Sequence, residues 1–339
     1  MQSPTNIDKS ASTQQVKVPA FRPIAEQISK VRELIYQQLT SNIKLGDING
    51  LLEQINSRTG KMIRPGLVLL SGCCCGKITD KHISVAAIIE MMHNATLLHD
   101  DVIDEGKKRR GIPTINSLWG NESAVLLGDL VLSHVFKLCA QLDSQVADVI
   151  ATAAVRLCIG ELRQVVQKHY WQLNEPEYID VITEKSAVLF SSSCFLGGLL
   201  AGASESQAQS LADFGLNAGI AFQITDDLLD IVGDENKTGK TLGSDVNKHK
   251  LTLALIHLLK TVDESEKNNI ISSFLDRKDS QYDKRALVEI LNRHGSLEYA
   301  RIRAREYVTI AKQALATLEQ SDYKKALIET AEFMVARAS

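Results

Sequence analysis

Proline is scarce and unevenly placed, with six in 339 residues and none after Pro176. Proline removes a backbone donor and clashes with the preceding helical turn, so its absence leaves the C-terminal half free to form long helices. Any C-x-x-C spacing is missing too. Cys73, Cys74 and Cys75 are consecutive, while Cys139, Cys158 and Cys194 are scattered through apolar segments. That argues against a zinc framework and reads as small buried hydrophobes in a reducing compartment. No excess of charge exists either: 38 basic residues face 41 acidic ones, a net of −3. Nothing global attracts nucleic acid, and any polyanion site must be local. Residues 1–20 lack the apolar centre of a secretory signal and the arginines of a transit peptide. They are expected to form a disordered tail ahead of one domain, 21–339. The longest charge-free stretch, Ser186 to Ser204, carries five serines and three glycines. It makes a poor membrane span and suits a buried helix.

What is present is helical periodicity. Leu297, Ala300, Ile302, Ala304, Tyr307, Ile310, Ala311 and Leu315 recur mainly at spacings of three and four. Ser296, after Gly295, reads as their N-cap. Residues 21–42, 81–104, 117–141, 145–172, 177–203 and 205–232 follow the same rule. The expected fold is all-α, a single large bundle of long antiparallel helices joined by short loops. No composition break marks a second domain, and no short repeat appears.

Two segments far apart in the chain resemble each other. "LLHDDVIDEG" ends one apolar helical run and "QITDDLLDIVGDE" ends another. Each carries D-D-x-x-D: Asp100, Asp101 and Asp104, then Asp226, Asp227 and Asp230. Residues i and i+4 share a helix face, so like charges at that spacing repel, and the negative end of the helix dipole worsens matters. A solvated acidic face is the ordinary meaning of one such cluster. Two copies ask for a compensating cation, and Mg²⁺ fits, because it takes one or two carboxylates and completes its shell with water and phosphate oxygens.

Basic residues flank both clusters. Lys107, Lys108, Arg109 and Arg110 follow the first, and "GDENKTGKTLGSDVNKHK", with Lys240 and Lys250, follows the second. Lys61 and Arg64 stand where a glycine turn opens into a helix, with Pro65 suited to its first turn. Lys185 sits alone at the start of the charge-free helix, placed to snorkel or to hold an anion. Together with the acidic clusters these cations suggest a diphosphate gripped by Mg²⁺ on one side and by guanidinium and ammonium groups on the other.

The motifs "GKMIRP", "HNATLLHDDVIDEGKKRRG", "GDLVL", "GELRQ", "EKSAVLF", "FQITDDLLD" and "GKTLGSDVNKHKLTLALIH" occur in this order over about residues 58–257. In them the chain resembles the trans-isoprenyl diphosphate synthases, of the polyprenyl (long-chain) branch. The resemblance implies an all-α bundle around a deep central cavity, usually a homodimer. The implied reaction is head-to-tail condensation of isopentenyl diphosphate onto an allylic diphosphate, with a short-chain synthase of the geranylgeranyl or farnesyl type as the alternative. It further implies three Mg²⁺ per active site, two on Asp100 and Asp104 and a third on Asp226, with Asp230 also counted among the metal-facing carboxylates and Asp101 and Asp227 behind them. Arg109, Lys185, Gln223 and Lys240 would bind the allylic diphosphate and assist its ionisation, with Ser186 and Lys250 contributing. Lys61, Arg64, His93 and Arg110 would bind isopentenyl diphosphate. His93 alone reads more simply as a core histidine, and His99 as structural. Ala95 and Thr96, one turn above Asp100, are small where short-chain members carry a bulky aromatic, which points to a product longer than C20. Phe136 and Cys139 are the expected deeper floor. A cytoplasmic enzyme follows, with no transmembrane segment and no nucleic-acid partner, touching a membrane at most peripherally to deliver a lipophilic product.

The chain departs from the pattern at Thr59, at Ser186, and at "NKHKLT", where His249 appears and no proline precedes the threonine. Rival readings are a terpene cyclase, against which the second D-D-x-x-D and the Lys61/Arg64 pair argue, and a calcium loop at Asp234–Asp245, which ends in aspartate and has no second copy. A non-catalytic subunit of a heteromeric synthase would not need both acidic clusters intact.

Overall fold

The computed structural model describes residues 18–40, 60–109, 111–168, 170–233, 244–276 and 283–336. A 3-10 turn, Pro19–Ile24, leads into α1 (Ala25–Thr40); α2 (Ile63–Cys75) and α3 (Asp80–Ile103) follow. A two-stranded hairpin, β1 (Lys108–Arg109) and β2 (Ile112–Pro113), precedes α4 (Ile115–Cys139), α5 (Ser144–Val166) and α6 (Glu175–Ile182). A π-helical turn, Thr183–Ala187, joins α6 to α7 (Val188–Leu200), and α8 (Glu205–Val232) is the longest helix described. After α9 (Ser244–Asn247) come α10 (Leu253–Thr261), α11 (Glu264–Ile270) and a second π turn, Ile271–Leu275. The chain ends with α12 (Lys284–Arg293), α13 (Ser296–Ala314) and α14 (Asp322–Val335).

The expected all-α bundle is the observed one, apart from the small hairpin. Helix α8 runs through it, packed chiefly between α7 and α13, while α3 lies along α4. The apolar stripe of α1 shows how sequence sets packing: Ile28, Val31, Ile35 and Leu39 are buried, each contributing about 1.5–3 kcal/mol of burial. Reciprocal caps start two of the site helices. Thr79 and His82 close α3, and Ser204 and Gln207 close α8. All six cysteines are free. Among the described residues no helix is long and apolar enough to cross a membrane.

Some expectations shift. Val18 and Ala20, assigned by composition to the tail, are buried against the bundle. Ser296 is not the N-cap of α13. Gly295 occupies that place with φ +66°, and Ser296 is the first helical residue, buried and bonded through Oγ to His257 Nδ1 at 2.9 Å. The run at 177–203 is helical but interrupted by the π turn around Lys185, which no periodicity announces. Gly128 of α4 lies where α3 crosses it, and a Cβ there would fall 2.2 Å from His99 Nε2. That ring sits 3.2 Å from Val125 O and 3.5 Å from Asp129 Oδ1.

Candidate active site

Each acidic triplet sits at the C-terminal end of a long helix, the first on α3 with Asp104 as its C-cap, the second in the last turns of α8. In the first triplet the three carboxylates have different neighbours. Asp101 is buried and accepts from Arg109 Nε and Nη2, both at 2.8 Å. The short hairpin presents Arg109, and its loop is tied down by Thr114 Oγ1 on Gly106 O and by Asn116 Nδ2 on Asp101 O. Burial works against the Arg109 charge, but Asp101, then Asp100 and Asp226, more than restore it. Asp104 is lodged in a basic clasp, 3.3 Å from Lys250 Nζ and 3.4 Å from Lys248 Nζ. Burial would raise its pKa, but those two lysines hold it below the ordinary range. Asp100 makes no hydrogen bond or ion pair among the described residues. Burial pushes it to about 6, against the field of Lys185.

The second triplet is held differently. Asp227 accepts from Tyr178 OH at 2.6 Å and from Gln223 Nε2 at 2.7 Å, and Gln223 in turn accepts from Ser186 Oγ at 2.8 Å. Burial, with Asp245 nearby, raises Asp227 to about 8. Asp230 accepts from the backbone N–H of Asp245 at 3.0 Å.

The two triplets meet through the segment 244–250. Lys250 touches Asp104 and lies 3.9 Å from Asp245, whose backbone binds Asp230. Arg109, on the first triplet, lies in the field of Asp226. A small cleft opens here, lined by Asp100, Ile103, Asp104, Glu161, Gln164, Val165, Lys168 and Lys250. Lys185 reaches it from the π turn, donating to Glu161 Oε2 at 2.8 Å and Gln164 Oε1 at 2.9 Å. The turn is clasped by Arg156, which grips Glu184 with Nε at 2.8 Å and Nη2 at 2.7 Å. Gly160 permits its approach, since a Cβ there would lie 2.3 Å from Lys185 N.

The remaining expected residues lie as follows. Arg64 is buried with its guanidinium 4.3 Å above the Phe190 ring, and Lys61 Nζ lies 4.8 Å over Phe333. His93 is partly buried on α3. Ala95 is fully buried, and Thr96 donates to His93 O at 2.8 Å. Phe136 is a correction. It is 69% exposed, because the register of α4 turns Val131, Val135 and Leu138 inward instead, so it cannot floor a cavity inside its own chain. Cys139 packs at the edge of the core. Thr59, Arg110, Lys240 and all but the last two residues of the Asp234–Asp245 loop lie outside the described residues.

Sequence reasoning missed Tyr178, Lys248, Asp245 and the partners of Lys185. Glu161 and Gln164 stand three apart in "GELRQ", one face of a helix, and that spacing was the available signal. The three non-glycine residues with left-handed φ among the described ones are Met62, Glu105 and His249. All three adjoin the site: beside Lys61, directly after Asp104, and between Lys248 and Lys250. Backbone strain of this kind gathers where surrounding contacts over-determine a functional geometry.

A helical bundle with paired D-D-x-x-D helix ends and a basic rim is an arrangement that can hold a diphosphate between carboxylates and cations. A polyprenyl synthetase sequence profile matches residues 47–291. Octaprenyl diphosphate synthase from Escherichia coli (strain K12) is 36% identical over 314 residues, covering 92% of this chain and 96% of that protein. The crystal structure of a decaprenyl diphosphate synthase from Rhodobacter capsulatus superposes with a TM-score of 0.87 at 34% identity, over 94% of this chain and 98% of that one. A polyprenyl synthase from Caulobacter crescentus CB15, complexed with calcium and isoprenyl diphosphate, gives 0.89 at 30% identity, over 94% and 97%. The chain belongs to the polyprenyl synthetase family.

Proposed function

We propose that the protein is a Mg²⁺-dependent trans-polyprenyl diphosphate synthase, adding isopentenyl diphosphate head-to-tail to an allylic diphosphate and releasing a product longer than C20. The observation that supports this reading is the bridge from Asp104 through Lys250 and Asp245 to Asp230, which links the two acidic triplets. The donor set fits hard divalent ions. Asp100 is a partnerless carboxylate facing a cleft, and no cluster of three or more ligating side chains closes around a point among the described residues. Such sparse protein coordination leaves room for water and phosphate oxygens. Three ions, held by Asp100, Asp104, Asp226 and Asp230, would supply Lewis-acid stabilisation of the departing pyrophosphate.

The chain's own residues do the rest. Lys185, Arg109, Lys250 and Gln223, together with Lys240 as the motif implies, hold the allylic diphosphate and stabilise the charge that grows on its bridging oxygen as the C–O bond ionises. Lys61, Arg64, His93 and Arg110 hold isopentenyl diphosphate, whose double bond attacks the allylic cation. The proton then lost passes to the pyrophosphate just released, so no protein nucleophile is needed. Apolar packing behind Asp100, including Ala95, keeps water from the cation. Small side chains at Ala95 and Thr96 let the growing tail pass.

An exposed apolar stripe on α4 and α5 supports a homodimer. Leu118, Trp119, Leu126 and Phe136 on one helix and Val155, Ile159, Leu162 and Val166 on the other are exposed, apolar surface that a second copy of the chain would cover. Free cysteines suit the cytoplasm, with peripheral membrane contact to pass on a lipophilic product. The test is incubation with Mg²⁺, labelled isopentenyl diphosphate and each short allylic diphosphate, followed by chain-length analysis. Products beyond C20 support the reading, and consumption of the allylic substrate without elongation overturns it. Ala95→Phe should shorten the product.

A further inference from the structure

Lys248 and Lys250 address the same carboxylate, and the backbone between them explains how. Lys250 N–H donates to Asp245 O at 2.9 Å and His249 N–H to Val246 O at 3.0 Å. This is the Schellman pattern that ends a helix, with His249 at the left-handed position where glycine is the default. Its φ is +59°, a region that a non-glycine residue occupies at a cost. Contacts of the ring hold it there: Nδ1 lies 2.5 Å from Leu275 O, and the ring meets Trp171 edge-on at 6.2 Å. Ending a four-residue helix requires no such arrangement. Its effect is to fold Lys250 back beside Lys248, so that both ammonium groups lie within 3.4 Å of Asp104.

One carboxylate faces two ammonium groups, and the neighbouring Asp101 is already taken by Arg109. Lys250 also has Asp245 at 3.9 Å, while Asp245 acts only from farther off on Lys248, whose one ion pair among the described residues is Asp104. Its side chain is only 22% exposed, so water does not compensate it fully. A second anion at the cleft would. Once a divalent ion takes Asp104, both lysines face whatever anion that ion carries.

We propose that Lys248 is a second ammonium group gripping the allylic diphosphate from the side of Asp104, and that the left-handed His249 is the residue that positions it. This deepens the reading given above and rests on it. The probe is inorganic pyrophosphate with Mn²⁺, titrated calorimetrically into the full-length protein, alongside steady-state kinetics. Lys248→Gln should weaken pyrophosphate binding and raise KM for the allylic substrate about tenfold, with KM for isopentenyl diphosphate unmoved. Lys248→Arg should recover most of the loss. His249→Val, β-branched and unsuited to left-handed φ, should weaken pyrophosphate comparably. His249→Gly should weaken it less, because it keeps the turn while losing the ring's contacts with Leu275 and Trp171. Pyrophosphate bound by Lys248→Gln as tightly as by the parent protein, or more tightly, overturns the proposal, since Lys248 would then be only the resting counter-ion of Asp104. A parent protein that elongates normally while Lys248→Gln is indistinguishable sinks this inference alone. One that binds pyrophosphate through Lys248 but never elongates sinks the enzymatic reading instead.

Discussion

Asp101 and Asp227 occupy the same middle place in two copies of one acidic pattern, yet the protein neutralises them by opposite means. Asp101 is answered by a guanidinium, with Arg109 donating twice to one carboxylate oxygen. Asp227 is surrounded by neutral donors, Tyr178 and Gln223, and retains a proton up to about pH 8. The first arrangement keeps a guanidinium fixed at the helix end. The second adds little charge to the interior. Identical sequence therefore does not mean identical electrostatics: the neighbour supplied by the fold decides, a hairpin arginine in one case and a tyrosine from α6 in the other.

Breaking the comparison begins with the residue that has no partner. Asp100→Ala should lower the elongation rate on the order of 10³-fold or more, measured as product formed at saturating Mg²⁺. A loss below tenfold would remove Asp100 from the metal set. Next, the same substitution at the two middle positions should give unequal results. Asp101→Asn strands the Arg109 charge and should cost about 3 kcal/mol in denaturant unfolding. Asp227→Asn imitates the protonated acid and should cost about 1 kcal/mol. Equal costs would mean that the two sites are held alike. Tyr178→Phe, which removes one donor from Asp227, should also cost about 1 kcal/mol and leave the Arg109–Asp101 pair untouched.

The smallest effect is a slope. Because folding raises the pKa of Asp227 from the ordinary carboxylate range to about 8, the folded protein binds a proton that the unfolded chain has released. Stability from this group is complete at low pH and is lost as pH climbs through its folded value. Between pH 7 and pH 8, above the titration of ordinary histidines near 6.5 and below that of free cysteines near 8.5, melting in EDTA should shift downward. Asp227→Asn should flatten that slope, and a slope unchanged by the substitution would assign it to another group.

How much of this was legible beforehand depends on how local the cause was. The acidic helix ends, the bundle and the flanking cations follow from spacing and periodicity. The π turn that carries Lys185 does not, because it depends on Gly160 of another helix letting the backbone approach. Phe136 was misplaced by one step of rotation, since α4 has apolar residues on more than one face and only packing selects which turns inward. Ser296 read as a cap because serine commonly is one, yet the left-handed Gly295 took that place and freed the hydroxyl for His257. The clasp on Asp104 was half visible. Lys250 lay in a motif, whereas Lys248 needed the reversal at His249 to arrive.

Gly128 has no side chain to contribute, yet it bears on the first acidic triplet from the next helix. His99 fills the space beside it, and the following residue is Asp100. Even a methyl group at position 128 would have to lever the imidazole aside, and with it the backbone that aims the carboxylate. A position with no reactive group of its own therefore leaves this enzyme little room for change.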